Sequence, residues 1–178
     1  MIDYKDIKIV KVIEDLLNSQ KENVNSGDGG PFAAAILNSV TNEVICVENN
    51  NVIEGKDPTA HAEVQAIRKA CEKLNKYSLE NHYLISTSEP CPMCYAAIRW
   101  ARLDAFYYIV NAKVAANFGF DDTNFQTEMY DIYNPNHNNI KKQNYLRSFL
   151  GSSNTSDYVV ERVIRNFTEY SKNNNLIY

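Results

Sequence analysis

Two short polar clusters, His61-x-Glu63 and Pro90-Cys91-x-x-Cys94, place the strongest constraint on how this chain can fold. Imidazole and thiolate groups are typical zinc ligands, and three of them can bind one ion only if the two clusters meet in space. The apolar pattern places each cluster at the start of a predicted helix, over residues 60–74 and 93–101. The sequence therefore predicts a fold in which two helix N-termini converge on one point.

The number of ligands predicts a catalytic zinc site. A structural zinc usually has four protein ligands, whereas a catalytic zinc has three and leaves the fourth position to water. The three candidates are His61, Cys91 and Cys94, and a helix N-terminus favours the thiolate form of the cysteines. Because two thiolates leave the site with almost no net charge, we expect weak acidification of water and a nearby base. Glu63 is the predicted proton carrier.

The remaining histidines and cysteines leave alternatives open. His82 or His137 could close the site as a fourth ligand, which would make the zinc structural. Cys46 and Cys71 lie in apolar company in an apparent strand and helix, so we expect buried free thiols rather than a disulfide.

The composition fits one globular domain. The chain has 178 residues, 44% hydrophobic and 22% charged, which suffices for one substantial core, so we expect a single domain over residues 1–178. No long apolar run marks a signal peptide or a membrane span, and a cytoplasmic protein is expected. The net charge of −4 disfavours binding to nucleic acid backbones.

Apolar periodicity and turn residues predict an α/β fold. In order, the pattern indicates a helix from residue 7 to before 26, a hairpin over 32–37 and 43–47, a helix over 60–74, a strand over 83–87, a helix over 93–101, a strand over 105–110, a short helix over 113–117 and a last helix over 157–170. Residues 134–155 are predicted to be loop-like. The alternation implies parallel neighbours joined by right-handed crossovers, with helices on both faces of a mixed sheet.

Further motifs surround the two zinc clusters. They are Gly29-Gly30-Pro31-Phe32, the stretch from Asp57 to Glu63, the stretch from Glu89 to Cys94, Trp100-Ala101-Arg102 and Gly119-Phe120-Asp121-Asp122. On these residues the chain resembles the guanine deaminases, on the purine side of the cytidine-deaminase-like fold. The resemblance implies a three-layer α/β/α sandwich with a mixed five-stranded sheet, a Zn²⁺ cofactor, and hydrolysis of guanine to xanthine and ammonia in purine catabolism.

The resemblance also implies which residues contact the purine. By position they are Asn50, Asp122 and Tyr178, with Phe32, Trp100 and Ala62 completing the pocket. A carboxylate can accept from the ring N–H groups of guanine, and an asparagine amide can both donate and accept. Each assignment has a structural alternative: Asn50 as a turn residue, Asp122 as a helix cap, and the two large aromatics as core.

The end of the chain resembles a segment that this family exchanges between subunits. Tyr178 would then reach the partner's site, and residues 156–178 would be the swapped part of a homodimer. Ala33, Leu103 and the stretch 134–155 depart from the family pattern, and Arg102-Leu103 resembles plant guanosine deaminases. Guanosine deamination therefore stays open, followed by tRNA adenosine or cytosine deamination and by a non-catalytic zinc-stabilised binding protein.

Overall fold

The computed structural model describes residues 6–133, 147–149 and 157–173. Its elements in chain order are α1 (Ile7–Ser26), β1 (Ala33–Asn38), β2 (Val44–Asn49), α2 (Val52–Gly55), α3 (Ala62–Leu74), β3 (His82–Ser88), α4 (Pro92–Trp100), β4 (Ala105–Val110), α5 (Ala112–Ala116), α6 (Thr123–Tyr133), β5 (Arg147–Phe149) and α7 (Asp157–Asn173). Among the helices of this described part, none combines the length and apolar character needed to cross a lipid bilayer.

The strands form one mixed sheet with the order β2-β1-β3-β4-β5. β1 runs antiparallel to both β2 and β3, whereas β3, β4 and β5 are mutually parallel neighbours. β5 has only three residues, whereas each of the other four strands has six or seven. The predicted α/β class with a mixed sheet is confirmed.

Helices cover both faces of the sheet and divide the core into two halves. Successive strand residues point to opposite faces, and β1 shows the consequence. Its Ala33, Ala35 and Leu37 pack with the apolar faces of α1 and α7. Its Ala34 and Ile36 pack with α3 and α4 instead. The three layers predicted from the resemblance are therefore present.

Several predicted boundaries shift. α3 begins at Ala62 with His61 as its N-cap, rather than at residue 60. The predicted loop before it contains the four-residue helix α2, which is too short to show a periodic apolar pattern. α6 was missed because its side chains are exposed from Thr123 to Met129, so no buried stripe marks it in the sequence. In the stretch 134–155, predicted to be loop-like, Arg147–Phe149 instead form β5 and pair with β4; the rest lies outside the described residues.

Candidate active site

The predicted meeting of two helix N-termini is present in the structure. His61 is the N-cap residue of α3. Cys91 is the N-cap residue of α4 and lies three residues after Ser88, the last residue of β3. Cys94 follows one turn into α4 and is fully buried. The Nδ1 atom of His61 lies 3.6 Å from Sγ of Cys91 and 3.5 Å from Sγ of Cys94.

These distances fit a zinc ion. Tetrahedral bonds of about 2.3 Å to sulfur and about 2.0–2.1 Å to nitrogen place the two ligand atoms about 3.6 Å apart. The three ligand atoms, all within 4.8 Å of one another, therefore need little rearrangement to bind zinc. Within the described residues no other His, Cys, Asp or Glu joins the group. His82 lies at the opposite end of β3, with Nδ1 2.9 Å from the carbonyl oxygen of Glu80, and His137 lies outside the described residues.

The pKa values of the two site cysteines shift in opposite directions. Hydrogen bonding with Cys94 and His61 lowers the pKa of Cys91 to about 4. The same contact with Cys91, together with burial, raises the pKa of Cys94 well above its ordinary value. Metal binding requires both sulfurs as thiolates, so it is coupled to the release of any proton that they carry. By contrast, burial raises the pKa of Cys46 to about 11, and this free thiol stays protonated.

Glu63 is a buried carboxyl group beside these ligands. It lies in the first turn of α3 and is only 5% exposed. Its Oε1 accepts a hydrogen bond of 3.2 Å from the Ser86 hydroxyl, and its Oε2 lies 3.5 Å from Sγ of Cys94. Burial raises the pKa of Glu63, and the negative charge of Cys91 adds to the increase. Sequence reasoning missed Ser86, although a hydroxyl inside a buried strand was a possible signal.

A cavity of about 140 Å³ opens over the metal ligands. Its lining consists of Phe32, Asn50, His61, Glu63, Ser88, Glu89, Cys91, Ala112, Ala115, Gly119, Phe120, Asp121 and Asp122. Three of the six predicted substrate residues, Phe32, Asn50 and Asp122, are therefore at the cavity wall.

Two other predicted substrate residues, Trp100 and Ala62, do not line this cavity. Trp100 is at the C-terminal end of α4 and is 81% exposed, so its assignment as a pocket wall stays a prediction. Ala62 is fully buried between the sheet and α3 and does not line the cavity either. Tyr178 lies outside the described residues. Spacing along the sequence could not show that the first turn of α3 points Ala62 into the core.

Asn50 is oriented by two backbone groups. Its Oδ1 accepts from the N–H of Gly30 at 3.0 Å and from the N–H of Val52 at 3.2 Å. Both lone pairs of the oxygen are thereby used, so this amide can serve a ligand only as a donor. The expectation that it both donates and accepts is corrected accordingly.

Asp122 lies at the edge of the cavity, just before α6. Its Oδ1 accepts from Nε2 of Gln126 at 2.8 Å. Burial raises the pKa of Asp122, with a further contribution from the charge of Cys91. Asp122 precedes the first residue of α6, and its carbonyl oxygen accepts from the N–H of Gln126, as in an N-cap residue. The N–H of Thr123 donates to the Asp121 carboxylate instead of to the Asp122 side chain.

Aromatic side chains form the apolar wall. The ring of Phe32 packs edge-on against Phe120, with centroids 4.9 Å apart, and against Phe167 of α7, with centroids 5.2 Å apart. Phe32 is thus both a cavity residue and part of the core. On the rim, Oε2 of Glu89 accepts from the N–H of Ala112 at 3.0 Å, which ties the segment before Cys91 to α5.

The comparisons with known proteins agree with this geometry. Residues 7–110 match the model of the cytidine and deoxycytidylate deaminase zinc-binding region. Because this match covers more than half of the chain, the protein belongs to that family, and zinc is its metal.

Among characterised relatives, the chain is 50% identical over 102 residues to the guanine deaminase of Bacillus subtilis (strain 168), covering 57% of this chain and 64% of that protein. It is 45% identical over 74 residues to the tRNA-specific adenosine deaminase of Aquifex aeolicus (strain VF5), covering 42% and 48%. The matches thus span between about half and two thirds of these relatives. The solved structure of the B. subtilis guanine deaminase superposes with a TM-score of 0.62 at 37% identity, covering 76% of this chain and 98% of that chain.

Proposed function

We propose that this protein is a zinc-dependent guanine deaminase, which hydrolyses guanine to xanthine and ammonia. The observation that carries the proposal is the buried carboxyl of Glu63 beside a zinc-spaced ligand set, at the base of a cavity that also holds Asn50 and Asp122. The 50% identity with a guanine deaminase supports this substrate over adenosine in tRNA, for which the matched segment is shorter.

The proposed chemistry divides between the metal and Glu63. Zinc held by His61, Cys91 and Cys94 would supply a Lewis acid that acidifies water. Glu63 would accept one proton from the attacking water and pass it to the ring nitrogen, and would then accept the second proton from the added hydroxyl and pass it to the departing amino group. Water adds its oxygen to the ring carbon, and the C–N bond breaks to release ammonia. The Ser86 hydroxyl fixes one carboxylate oxygen, which leaves the rotation of Glu63 restricted during this transfer.

Recognition of the ring is assigned to the cavity wall. Asp122 would accept from ring N–H groups, and Asn50 would donate to a ring acceptor. Phe32 and Phe120 would pack against the base.

The two departures from the family pattern near the strands do not favour guanosine. Leu103 is 2% exposed and packs in the core beside α3 and α4, and Ala33 is fully buried on the other face of the sheet. Neither residue lines the cavity. Guanosine deamination stays the alternative to be excluded by assay.

Homodimer formation by exchange of residues 156–178, a substrate contact from Tyr178 and a cytoplasmic role in purine catabolism are further predictions, supported by the family resemblance. In the single chain described, α7 packs on α1, where Asn166 Nδ2 donates to the Leu17 carbonyl oxygen at 3.2 Å. Sedimentation of the full chain tests dimer formation. Mixing a Glu63→Gln chain with a chain truncated before Tyr178 tests exchange, because activity returns only if one subunit completes the other's site.

The decisive experiment measures ammonia release from guanine, guanosine, adenine, cytosine and cytidine with zinc-loaded protein. We expect guanine to have the highest kcat/KM. Glu63→Gln should retain one zinc per chain and lower kcat by about 10²–10⁴-fold, the usual contribution of general acid–base catalysis. Turnover at the wild-type rate in this variant would exclude Glu63 as the proton carrier, and a preference for another base would reject the substrate.

A further inference from the structure

The turn before β1 and the loop after β2 are packed together as one unit at the cavity. The N–H of Asn50 donates to the carbonyl oxygen of Phe32 at 3.1 Å, and its Oδ1 accepts from Gly30. A Cβ atom added at Gly29 would lie 2.2 Å from the carbonyl oxygen of Asn50. The position of Asn50 is therefore set by the turn from Gly29 to Phe32.

A buried asparagine of α1 bridges the two parts of this unit. Asn23 is 4% exposed, and its Nδ2 donates to the carbonyl oxygen of Gly30 at 2.8 Å and to that of Asn50 at 2.9 Å. Both amide hydrogens are thus used on two carbonyl oxygens. An apolar residue at this position would leave both oxygens without this donor, which is costly in a buried site. Asn23 does not line the cavity itself.

Two further buried amides extend the contact to α7. The Gln20 side chain donates to the carbonyl oxygen of Pro31 at 2.7 Å, and it accepts from the Asn166 side chain at 2.9 Å. Gln20 is fully buried and Asn166 is 5% exposed. Two successive carbonyl oxygens of the turn, those of Gly30 and Pro31, are therefore held by side chains of α1 one helical turn apart.

We propose that Asn23 is a positioning residue for substrate recognition, which acts through Asn50. It fixes the backbone on both sides of the Asn50 amide, so that the donor group of Asn50 has one orientation in the cavity before substrate binds. Gln20 holds the adjacent part of the turn, from which Phe32 enters the cavity wall. The substrate side of this inference rests on the proposed deaminase function.

A double-mutant cycle tests whether Asn23 acts through Asn50. Asn23→Ala should lower kcat/KM about 10-fold in the wild-type background, because a displacement of the order of 1 Å in a site costs up to about 100-fold. In an Asn50→Ala background the same change should lower kcat/KM less than about 2-fold, since residues that act as a unit are not additive. Most of the loss should appear in KM. Equal losses in both backgrounds would overturn the proposal.

The matched control is Leu16→Ala, on the same helix. Leu16 is fully buried in the core between α1 and the sheet and does not line the cavity. Its truncation destabilises the fold without touching the turn, so its effect on kcat/KM should be the same, and small, in both backgrounds. If Leu16→Ala also lowers kcat/KM much more in the wild-type background than in the Asn50→Ala background, the effect of Asn23→Ala would be assigned to lost stability alone.

Amide hydrogen exchange supplies a readout that does not depend on activity. The N–H groups of Gly30 and Val52 both donate to Oδ1 of Asn50. In Asn23→Ala these two should exchange at least about 10-fold faster, and those of β4 should be unchanged, because only local opening is increased. Unchanged exchange rates at Gly30 and Val52 in Asn23→Ala would overturn the proposal, whether or not the wild-type protein is active. Failure of the wild-type protein to deaminate any base in the panel would separately reject the proposed function.

Discussion

Replacement of Gly29 by alanine should damage the cavity more than the fold. A Cβ atom there would lie 2.2 Å from the carbonyl oxygen of Asn50 and 2.4 Å from its Oδ1. Because Cβ atoms do not approach other atoms closer than 3.0 Å, the turn and Asn50 must separate by at least 0.8 Å. Asn50 Oδ1 is held by Gly30 and Val52, so this displacement breaks or stretches the contacts that orient the amide.

The expected magnitudes follow from that displacement. Overpacking of a buried contact costs about 1–3 kcal/mol of the free energy of unfolding. A misplacement approaching 1 Å costs up to about 10²-fold in catalysis. We therefore expect Gly29→Ala to lower kcat/KM for guanine about 10–100-fold while the protein still unfolds cooperatively. The assay is steady-state ammonia release, with urea unfolding of the same preparation.

Gly27, four residues after Asn23, provides a matched control. Its φ of 77° lies in the left-handed region, but a Cβ atom there meets nothing within 4 Å. Gly27→Ala should therefore cost about 1–2 kcal/mol of stability through backbone strain and leave kcat/KM within about 2-fold of wild type. If both variants lose activity equally, or if Gly29→Ala is fully active, the reasoning from the Asn50 contact is refuted.

Three further predictions address the thiols, the general base and the surface. In zinc-free protein at pH 6, iodoacetamide should alkylate Cys91 first, because a thiol with a pKa of about 4 is a thiolate at that pH. Cys46, with a pKa of about 11, is ionised in only about one molecule in 10⁵ at pH 6 and should stay unmodified. Mass spectrometry of the alkylated protein should show that zinc protects Cys91. Ser86→Ala removes the hydrogen-bond donor to the buried Glu63 carboxylate and should lower kcat about 10-fold at unchanged KM. The control is Ser78→Ala, which removes a buried hydroxyl without a partner in the described structure and should leave kcat unchanged. Trp100→Ala should leave the KM for guanine within about 2-fold of wild type, and a larger increase would place Trp100 at the site.

The regular elements of the fold were largely predictable because their signals are local. The strand over residues 105–110 and the start of the last helix at residue 157 agree with the structure, since continuous apolar runs and a period of 3.6 residues are direct consequences of burial. α6 has no such signal, because its exposed side chains carry no periodic apolar stripe. The start of α3 moved by two residues because an N-cap residue has extended backbone geometry, which propensity does not reveal.

The residues of the candidate metal centre and the proposed general base were predicted from the sequence alone. Their chemistry depends on residue type and spacing at two helix starts, and such spacing is preserved in any fold that brings the helix ends together. The cavity wall was decided only by the tertiary structure. Trp100 and Ala62 lie in motifs that resemble those of the family. Trp100 nevertheless points to solvent and Ala62 to the core, because the direction of a helical side chain depends on which face packs against the sheet.

The same distinction separates Asn50 from Asn23. The resemblance selected Asn50 from a run of three asparagines, but its orientation as a donor follows from contacts with Gly30 and Val52. Asn23 has no motif at all, and its role depends on two carbonyl oxygens, one 7 and the other 27 residues away along the chain. The sequence determined the reactive groups because the covalent structure of the chain specifies the type of each side chain. Only folding decided which residues orient those groups, because hydrogen bonds between distant residues form only when α1 packs against the turn.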